Sequence, residues 1–503
     1  KVYLGITGDI IHPGIINIIK EGAKYGDLII GLLTDSAIVS HKRLPYLTYE
    51  QRKSVVENIK GVSQVIPQEE WSYVPNLKKI KPEYMIHGDD WKTNYLSKIR
   101  EDVYKAMEEW GGKVIEIPYT QGINSSELAA NASTIGTTPE IRLKSLRRLI
   151  EAKPVVRIME AHSGLSGLII ENAEVTKEDG VHRFDGMWSS SLTDSTNKGK
   201  PDIEAVDLTT RMQSLTDILE CTTKPIIYDG DTGDIAEHFV FTVRTLERNG
   251  VSAVIIEDKK GLKKNSLFGT EVKQELASEE EFCHKISEGK KAQVTKDFMI
   301  IARIEEIIAG RSVDEALTKA FACVKAGADG IMIHSKDKTG ADIKEFCQRF
   351  RKEYAKIPLV LVPTTYNQFT EKELCEWGAN VIIYARTREE LAAGAIFSRP
   401  VFFRGGDRAG RNCANRFVTD DLHAFFLQRL QPGLDFLHLE RAQRTAAVQR
   451  EQDDFQDDCQ NDDGDAPVMD DAVNHLHGPF ENNLDEGEEA ACLQCLVKFR
   501  VHQ

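Results

Sequence analysis

A run of charged side chains near the middle of the chain combines residue types that could bind a metal ion and a phosphorylated substrate. Glu257-Asp258-Lys259-Lys260-Gly261-Leu262-Lys263-Lys264-Asn265-Ser266 directly follows the apolar run 253–256. A carboxylate at the end of a strand can hold a metal ion or its water ligands, and Lys and Asn on the following loop can reach phosphoryl oxygens. This segment therefore predicts metal-assisted chemistry on an anionic substrate.

Similar side chains follow the neighbouring apolar runs. Asp229 and Asp231 end the preceding run, and Arg303 ends the next one. Carboxylates from adjacent loops are hard oxygen ligands that suit Mg2+, and a guanidinium can hold a carboxylate or phosphate through two hydrogen bonds. Taken singly, an Asp-x-Asp pair is more often a turn or a helix cap, and an arginine is as often a structural ion pair. Their register at successive strand ends favours one shared site.

The elements that carry these residues alternate between short apolar runs and amphipathic stretches. Such alternation predicts a parallel sheet wrapped by helices, and eight strand–helix units over about 250 residues fit a TIM-type (β/α)8 barrel, in which functional residues lie at the carboxyl ends of the strands. The eight predicted strands are Val156–Met159, Gly186–Trp188, Ile226–Asp229, Ala253–Glu257, Met299–Ile304, Gly330–His334, Leu359–Val362 and Asn380–Tyr384.

The remaining parts of the chain differ in character. Residues 1–128 alternate strand-like and helix-like runs and predict a Rossmann-like domain, and residues 129–140 are small and polar and predict a linker to a barrel spanning 141–400. Residues 401–503 mix Arg-rich, Gln-rich and Asp-rich patches with little periodicity. We expect them to be an irregular, disordered acidic tail, with an altered or out-of-frame end as the alternative.

The net charge of −15 is concentrated in that tail. Residues 451–490 hold fifteen acidic and no basic side chains, and the rest of the chain holds 64 of each sign. A neutral body gives no global field for nucleic acid or for an anionic membrane, so neither is expected as a partner.

The chain has no apolar run long enough to span a bilayer, opens without signal-peptide features, and places all nine cysteines irregularly from Cys221 onward. We expect a cytoplasmic enzyme with reduced thiols.

The motifs of the predicted barrel resemble the isocitrate lyase superfamily, and within it the phosphoenolpyruvate phosphomutases. The resemblance covers about residues 141–384, and its most specific part is the pattern E-D-K-x-x-x-K-x-N-S. The lyases of the superfamily carry a K-K-C-G-H loop instead, and this chain has none. The supporting segments are Met159–Ser166 (MEAHSGLS), Trp188–Leu192 (WSSSL), Asp229–Gly233 (DGDTG) and Ile333–Lys336 (IHSK).

This resemblance implies conversion of phosphoenolpyruvate to phosphonopyruvate, with a phosphoryl group moving from an enolate oxygen to the methylene carbon. It implies Mg2+ as cofactor, contacted by Asp229, with Asp231 and Glu257 holding its waters. The pyruvyl part would contact Trp188 and the backbone amides near Ser190 and Ser191. The catalytic residues implied for the phosphoryl group and the pocket are Asp202, Lys263, Asn265, Arg303 and His334.

The chemistry implied needs positioning and charge more than a protein nucleophile. A phosphoryl group leaving an enolate passes through a loose, metaphosphate-like state, so cations and a metal are sufficient. Water must be kept out during the transfer, and the polar segment 192–204 is a plausible lid.

The start of the chain resembles the cytidylyltransferases. Gly5–Ile15 (GITGDIIHPGI) follows a strand and opens a helix, which places His12 at an anion-binding helix N-terminus. The segment is similar to G-x-F-D-x-x-H-x-G-H, although Gly8 replaces the Phe and Ile15 replaces the second His. The resemblance implies CTP as a substrate of this domain, with nucleotide-binding residues Asp9, His12, Gly14, Gly88, Asp89 and Ser125.

Alternatives remain open for both predicted domains. Isoleucine cannot donate the hydrogen bonds that the second His would give to phosphate oxygens, so the domain is either a nucleotidyltransferase or a catalytically inactive nucleotide-binding module. The barrel could instead hydrolyse phosphonopyruvate or cleave a carbon–carbon bond, although Lys263 and Asn265 favour the mutase. We expect small-molecule substrates and a homo-oligomer.

Overall fold

The computed structural model describes residues 1–92, 96–118, 137–177, 180–261, 263 and 275–385. The predicted site residues Asn265 and Ser125, part of the predicted linker and the predicted tail 401–503 lie outside these ranges. Two folded parts are described, an open sheet near the start of the chain and a closed barrel after it.

The first part is a five-stranded parallel sheet in the order β3-β2-β1-β4-β5. Its central strands are apolar along their whole length because both faces of the sheet are covered by helices. The strands are β1 Val2–Ile6, β2 Leu28–Leu33, β3 Val62–Gln68, β4 Tyr84–Gly88 and β5 Lys113–Ile117, and the helices are α1 Pro13–Gly22, α2 Asp35–Val39, α3 Tyr49–Val56, α4 Val74–Ile80 and α5 Leu96–Glu108, with short 3-10 turns at Ala23–Tyr25 and Asp89–Lys92. The predicted Rossmann-like fold is confirmed.

The second part is a closed barrel of eight parallel strands, which confirms the predicted TIM-type architecture. Its strands are β6 Val156–Ala161, β9 Gly186–Ser189, β10 Ile226–Asp229, β11 Ala253–Glu257, β12 Met299–Ile304, β13 Gly330–Ile333, β14 Leu359–Leu361 and β15 Val381–Tyr384, in that order around the barrel, with β15 pairing back to β6. Each predicted strand matches one of these to within two residues at either end.

An antiparallel hairpin interrupts the alternation between the first two barrel strands. It consists of β7 Glu174–Lys177 and β8 Gly180–Arg183 and was not predicted. The sequence carries a signal for a hairpin, because an Asp-Gly dipeptide at 179–180 stands between two short alternating runs.

Helices surround the barrel and pack their apolar faces on its outer surface. Capping boxes begin several of them, for example Ser278 with Glu281 and Ser312 with Glu315. The helices are α6 Pro139–Ala152, α7 Gly164–Asn172, α8 Ser191–Asn197, α9 Leu208–Cys221, α10 Ala236–Arg248, α11 Glu279–Ala292, α12 Val313–Lys325, α13 Ala341–Glu353 and α14 Glu371–Trp377. Within the described ranges, no helix is both long enough and apolar enough to cross a membrane.

Helix α6 joins the two parts. Its residues Leu146 and Leu149 belong to the apolar cluster that fills the barrel interior, and Val39 of the first part packs in the same cluster. The guanidinium of Arg148 donates to the carbonyl oxygens of Pro45 and Tyr46 over 2.9 and 3.2 Å. The segment after α2 is therefore held against the first helix of the barrel.

Candidate active site

A pocket opens at the carboxyl ends of the barrel strands, where the sequence predicted the site. Most of the predicted barrel residues line it, and they come from loops that are far apart in the chain. The residues lining the pocket are Glu160, Trp188, Ser190, Ser191, Leu192, Asp202, Asp229, Glu257, Lys263, Arg303, His334, Val362, Thr364 and Ala385. Asp231 lies behind this wall, and Asn265 is outside the described residues.

One side of the pocket is a chain of hydrogen bonds through Ser191. The backbone N–H and the hydroxyl of Ser191 both donate to Asp229 Oδ2, over 3.3 and 3.1 Å. Lys263 Nζ donates to Ser191 Oγ over 2.7 Å, to Asp202 Oδ1 over 2.8 Å, and also to Asp231. One predicted metal carboxylate, Asp231, and Asp202 of the predicted lid therefore meet at the ammonium group of the predicted catalytic lysine, and Ser191 links that group to Asp229.

A second group of contacts in the pocket wall is built around Arg303. Its guanidinium donates to Glu305 Oε1 over 2.5 Å and lies 3.3 Å from Glu257 Oε2 and 3.0 Å from His334 Nδ1. Lys259 Nζ lies 3.4 Å from Glu257 and 3.5 Å from Glu305. These buried charges alternate in sign, which offsets much of their desolvation cost.

Burial and neighbouring cations shift the pKa values of Glu257 and Asp229 in opposite directions. Burial raises the pKa of Glu257 to about 7, even though Arg303 and Lys259 oppose that rise. Burial also acts to raise the pKa of Asp229, but Lys263, Arg303 and Arg211 together lower it below its ordinary value. Asp229 is thus the carboxylate best held in its charged form without a metal ion.

The pocket wall contains polar atoms that have no hydrogen-bond partner among the described residues. They are Trp188 Nε1, His334 Nε2 and Thr364 Oγ1, each buried. Burial and the charge of Arg303 lower the pKa of His334, so its imidazole is neutral near pH 7. Buried polar groups are usually paired, so these three mark where a polar ligand belongs.

The donor set fits Mg2+ with few direct protein ligands. Among the described residues, no three His, Cys, Asp or Glu side chains are grouped closely enough to form a metal site by themselves. Mg2+ usually keeps several waters and takes one or two carboxylates together with substrate oxygens. The division in which Asp229 contacts the metal ion and Asp231 and Glu257 hold its waters stays a prediction.

Sequence reasoning assigned no role to several residues of the site. Glu160 and Thr364 line the pocket, Glu305 orients Arg303, and Arg211 contacts both Asp229 and Asp231. The sequence does show Glu160 within a motif segment and Thr364 among the polar residues that follow the barrel strands. Arg211 lies inside α9, where the sequence carries no signal for a site.

Five of the six predicted nucleotide-binding residues are described, and these five lie at the carboxyl edge of the open sheet; Ser125 lies outside the described ranges. His12 caps α1 with extended backbone, and its Nδ1 is buried without a partner among the described residues. Gly14 is buried in the first turn of α1, Gly88 ends β4, and Asp89 begins the following 3-10 turn.

Asp9 has a structural role in this arrangement. Its carboxylate accepts from Arg43 over 2.8 Å and from the backbone N–H groups of Tyr46 and Leu47 over 2.8 and 3.3 Å. It therefore fixes the segment after α2 beside the helix N-terminus. A direct contact of Asp9 with nucleotide stays a prediction.

A family model for phosphoenolpyruvate phosphomutase matches residues 146–398, half of the chain. The chain belongs to this family. A second model, cytidylyltransferase-like, matches residues 5–131. The described part of that range is the open sheet, so an N-terminal cytidylyltransferase-like domain precedes the phosphomutase-family barrel.

Known relatives match each part separately. The phosphoenolpyruvate phosphomutase of Tetrahymena pyriformis is 36% identical over 252 residues, covering 50% of this chain and 80% of that protein. The phosphonopyruvate hydrolase of a Variovorax species is 34% identical over 263 residues, 52% of this chain and 86% of that protein. The glycerol-3-phosphate cytidylyltransferase of Bacillus spizizenii is 29% identical over 137 residues, 27% of this chain and 98% of that protein. Identity alone does not separate mutase from hydrolase.

Proposed function

We propose that the barrel interconverts phosphoenolpyruvate and phosphonopyruvate with Mg2+ as cofactor. The observation that carries the proposal is that Lys263 and Arg303 line one pocket together with the carboxylates Asp229 and Glu257. Two cations in one pocket can hold a phosphoryl group during transfer, and the carboxylates can bind the metal ion. Bound Mg2+ would neutralise charge on the enolate and phosphoryl oxygens.

The chain's own residues supply binding and orientation. Trp188 Nε1 and the α8 N-terminus at Ser190 and Ser191 face the part of the pocket proposed for the pyruvyl group. In this structure the Ser191 N–H donates to Asp229, so a substrate carboxylate would share or replace that weak 3.3 Å bond.

The phosphoryl group would lie between Lys263, Arg303 and the Nε2 atom of His334. When Nδ1 of the neutral imidazole accepts from Arg303, its proton lies on Nε2 and faces the pocket. The P–O bond to the enolate oxygen then breaks while a C–P bond forms at the methylene carbon. Fixed donors around a loose transition state provide the stabilisation this step needs.

The segment 192–204 would exclude water. Its Asp202 accepts a hydrogen bond from Lys263 at the pocket. Arg211 of α9 donates to the backbone carbonyl of Asp229. Exclusion of water separates phosphoryl transfer to carbon from transfer to water, which is the difference between a mutase and a hydrolase.

The alternatives are a phosphonopyruvate hydrolase and a carbon–carbon lyase. The lyase is disfavoured because the chain has no cysteine between Cys221 and Cys283, where the K-K-C-G-H loop of the lyases would supply one. The hydrolase is disfavoured by Lys263 and Asn265 in the mutase pattern, but a hydrolase is among the relatives.

Phosphorus NMR of the full chain with phosphonopyruvate and Mg2+ tests the proposal. A mutase produces the phosphoenolpyruvate signal, a hydrolase produces inorganic phosphate, and a lyase leaves the phosphonate signal unchanged. Asp229→Ala is the control for chemistry in this pocket. Inorganic phosphate as sole product, absent in Asp229→Ala, would replace the proposed activity with the hydrolase.

For the N-terminal domain we propose CTP binding at His12 and Gly14. The supporting observations are the cytidylyltransferase-like match, the buried unpartnered Nδ1 of His12 and the helix N-terminus beside it. CMP transfer to a phosphonate is the second activity proposed, and a non-catalytic regulatory module is the alternative. We further propose that the enzyme is cytoplasmic, acts on small molecules and forms a homo-oligomer.

A further inference from the structure

Arg211 of helix α9 is buried behind the pocket and contacts the ends of two barrel strands. Its Nη1 donates to the backbone carbonyl of Asp229 over 2.5 Å and to Asp231 Oδ2 over 2.9 Å. Its Nη2 donates to the carbonyl of Ser189 over 3.3 Å, and its Nε lies 3.5 Å from Asp194 Oδ2. A single guanidinium thus fastens β9, β10 and helix α8 together at the site.

The loop that Arg211 holds has an unfavourable backbone. Asp231 has φ of 55°, in the left-handed region that residues other than glycine rarely adopt. Gly233 at 74° completes the turn, and Asp231 O accepts from Glu257 N over 2.8 Å. Such a conformation persists where surrounding contacts fix it, and Arg211 supplies the contact to the Asp231 side chain.

The two carboxylate oxygens of Asp231 face different partners. Oδ2 accepts from Arg211 on the buried side, and Oδ1 accepts from Lys263 on the pocket side. Because Arg211 occupies Oδ2, Oδ1 is the oxygen that is left for Lys263, which lines the pocket. The planar guanidinium also stacks on the Tyr228 ring, 4.2 Å from its centroid, which limits its movement.

We propose that Arg211 is a positioning residue that orients Asp229 and Asp231 for the metal ion, and this rests on the proposed function of the pocket. Its side chain is not among those that line the pocket, so it acts through the residues that it holds. Lysine cannot replace it, because a single ammonium group lacks the planar set of donors with which the guanidinium bonds Asp229 O, Asp231 Oδ2 and Ser189 O at the same time. Outer partners of metal ligands typically affect metal affinity by roughly 10–100-fold.

The chain offers a matched control in Arg142 of helix α6. It is also buried, and its guanidinium donates to Thr222 Oγ1 over 3.1 Å and to the carbonyls of Lys224 and Leu219 over 3.0 and 2.9 Å. None of these partners is a predicted site residue. Loss of Arg142 should therefore cost stability without changing the metal site.

The experiment compares Mn2+ affinity in the full-length wild type, Arg211→Lys, Arg142→Lys and Asp229→Ala, with free Mn2+ followed by electron paramagnetic resonance. We expect Arg211→Lys to weaken Mn2+ binding by about tenfold or more. Arg142→Lys should lower the thermal midpoint and keep wild-type affinity. Wild-type affinity in folded Arg211→Lys, or an equal loss in Arg142→Lys, would overturn the proposal.

The Asp229→Ala variant separates this proposal from the proposed function. If it binds Mn2+ as the wild type does, the metal site lies elsewhere and the proposed function loses its support. If it alone loses Mn2+, the site stands and Arg211 has no positioning role. Should Arg211→Lys fail to fold, Asp194→Asn, which removes the charge facing Arg211 Nε, is expected to weaken Mn2+ binding; unchanged affinity there also overturns the proposal.

Discussion

Lys263 Nζ donates a hydrogen bond of 2.8 Å to Asp202 Oδ1, and the pair is almost completely buried. The bond joins the loop after β11 to the segment after α8. Burial acts to lower the pKa of Lys263, but Asp231, Glu257, Asp229 and Asp202 together raise it well above its ordinary value. The lysine is therefore a permanent cation that can exchange a carboxylate partner for a substrate phosphoryl oxygen.

We expect Asp202→Asn to lower kcat by about 10-fold or more and to change Mn2+ affinity little. The amide keeps the size of the side chain but loses the charge-assisted bond that positions Lys263, and misplacement of a catalytic group lowers the rate of the chemical step. Phosphorus NMR rates and a Mn2+ titration check this. Asp217→Asn, at an exposed position on α9, is the control, and equal rates in both variants would contradict the expectation.

Removal of the metal ion should abolish turnover. Treatment with EDTA, or the substitution Asp229→Ala, is expected to leave no conversion of phosphonopyruvate, because developing charge on the enolate would lack its main countercharge. Activity should return to EDTA-treated wild type on addition of Mg2+ and should not return in Asp229→Ala. Full turnover in EDTA would eliminate the metal-dependent mechanism.

Arg303→Ala and Asn265→Ala should each slow the reaction by at least about 100-fold, the usual scale for loss of one preorganised donor. For Arg303 the structure adds a reason, because its removal leaves Glu257 and Glu305 with one cation fewer and Lys259 alone would have to neutralise both carboxylates. Single-turnover rates give the comparison. Arg311→Ala is the control, since Arg311 is half exposed and pairs with Glu306 outside the pocket. Near-wild-type kinetics in both Arg303→Ala and Asn265→Ala would place the phosphoryl group elsewhere.

The sequence predicts this fold well because the barrel strands are short, apolar and β-branched, and each is followed by a polar residue at the same end. That register is visible in the amino-acid pattern itself, and it makes Asp229, Glu257, Arg303 and His334 recognisable as site residues. The pattern does not predict residues of a neighbouring helix that contact the site residues. Arg211 lies in the first turn of α9, and its contact with Asp231 depends on how α9 packs against β10, which is a tertiary property.

Some residues of the site act by holding a motif residue and belong to no motif themselves. Composition and motifs do not identify such residues. Glu305 follows Arg303 by two residues and resembles an ordinary polar position, yet it is buried and holds the guanidinium. The motif around Asp9 predicts a ligand residue, and the structure commits its carboxylate to Arg43 and the backbone of Tyr46. Pattern alone does not show which face of a carboxylate is already occupied.

The contact between the two parts should be testable through Arg148. Its Nη2 lies 2.9 Å from Asp35 Oδ2, and Arg52 Nη2 lies 2.6 Å from the other oxygen of the same carboxylate. Because hydrogen bonds to charged groups contribute about 1.5–3 kcal/mol each, Arg148→Ala should increase hydrogen exchange in segment 35–47. Arg147→Ala is the control, because Arg147 is the adjacent residue of α6 and pairs with Asp329 of the barrel part. Equal exchange in the two variants would mean that Arg148 does not hold the segment.

Ile15 decides whether the N-terminal domain transfers a nucleotide. It lies three residues after His12, in the first turn of α1, and packs among the partly buried apolar residues of the sheet. A histidine there could donate to phosphate oxygens as charge develops, and isoleucine cannot. We therefore expect the wild type to bind CTP through His12 and Gly14 but to release little pyrophosphate with any phosphonate alcohol or amine.

Ile15→His should restore the missing donor and raise pyrophosphate release by roughly 10- to 1000-fold, the range for regaining one transition-state hydrogen bond. Ile16→His is the matched control, because the next residue along a helix points about 100° away and brings its imidazole to a different side. CTP binding should be similar in all three proteins, so that the gain lies in turnover. Robust wild-type pyrophosphate release, unchanged by Ile15→His and lost in His12→Ala, would show that another group has taken over the role of the second histidine.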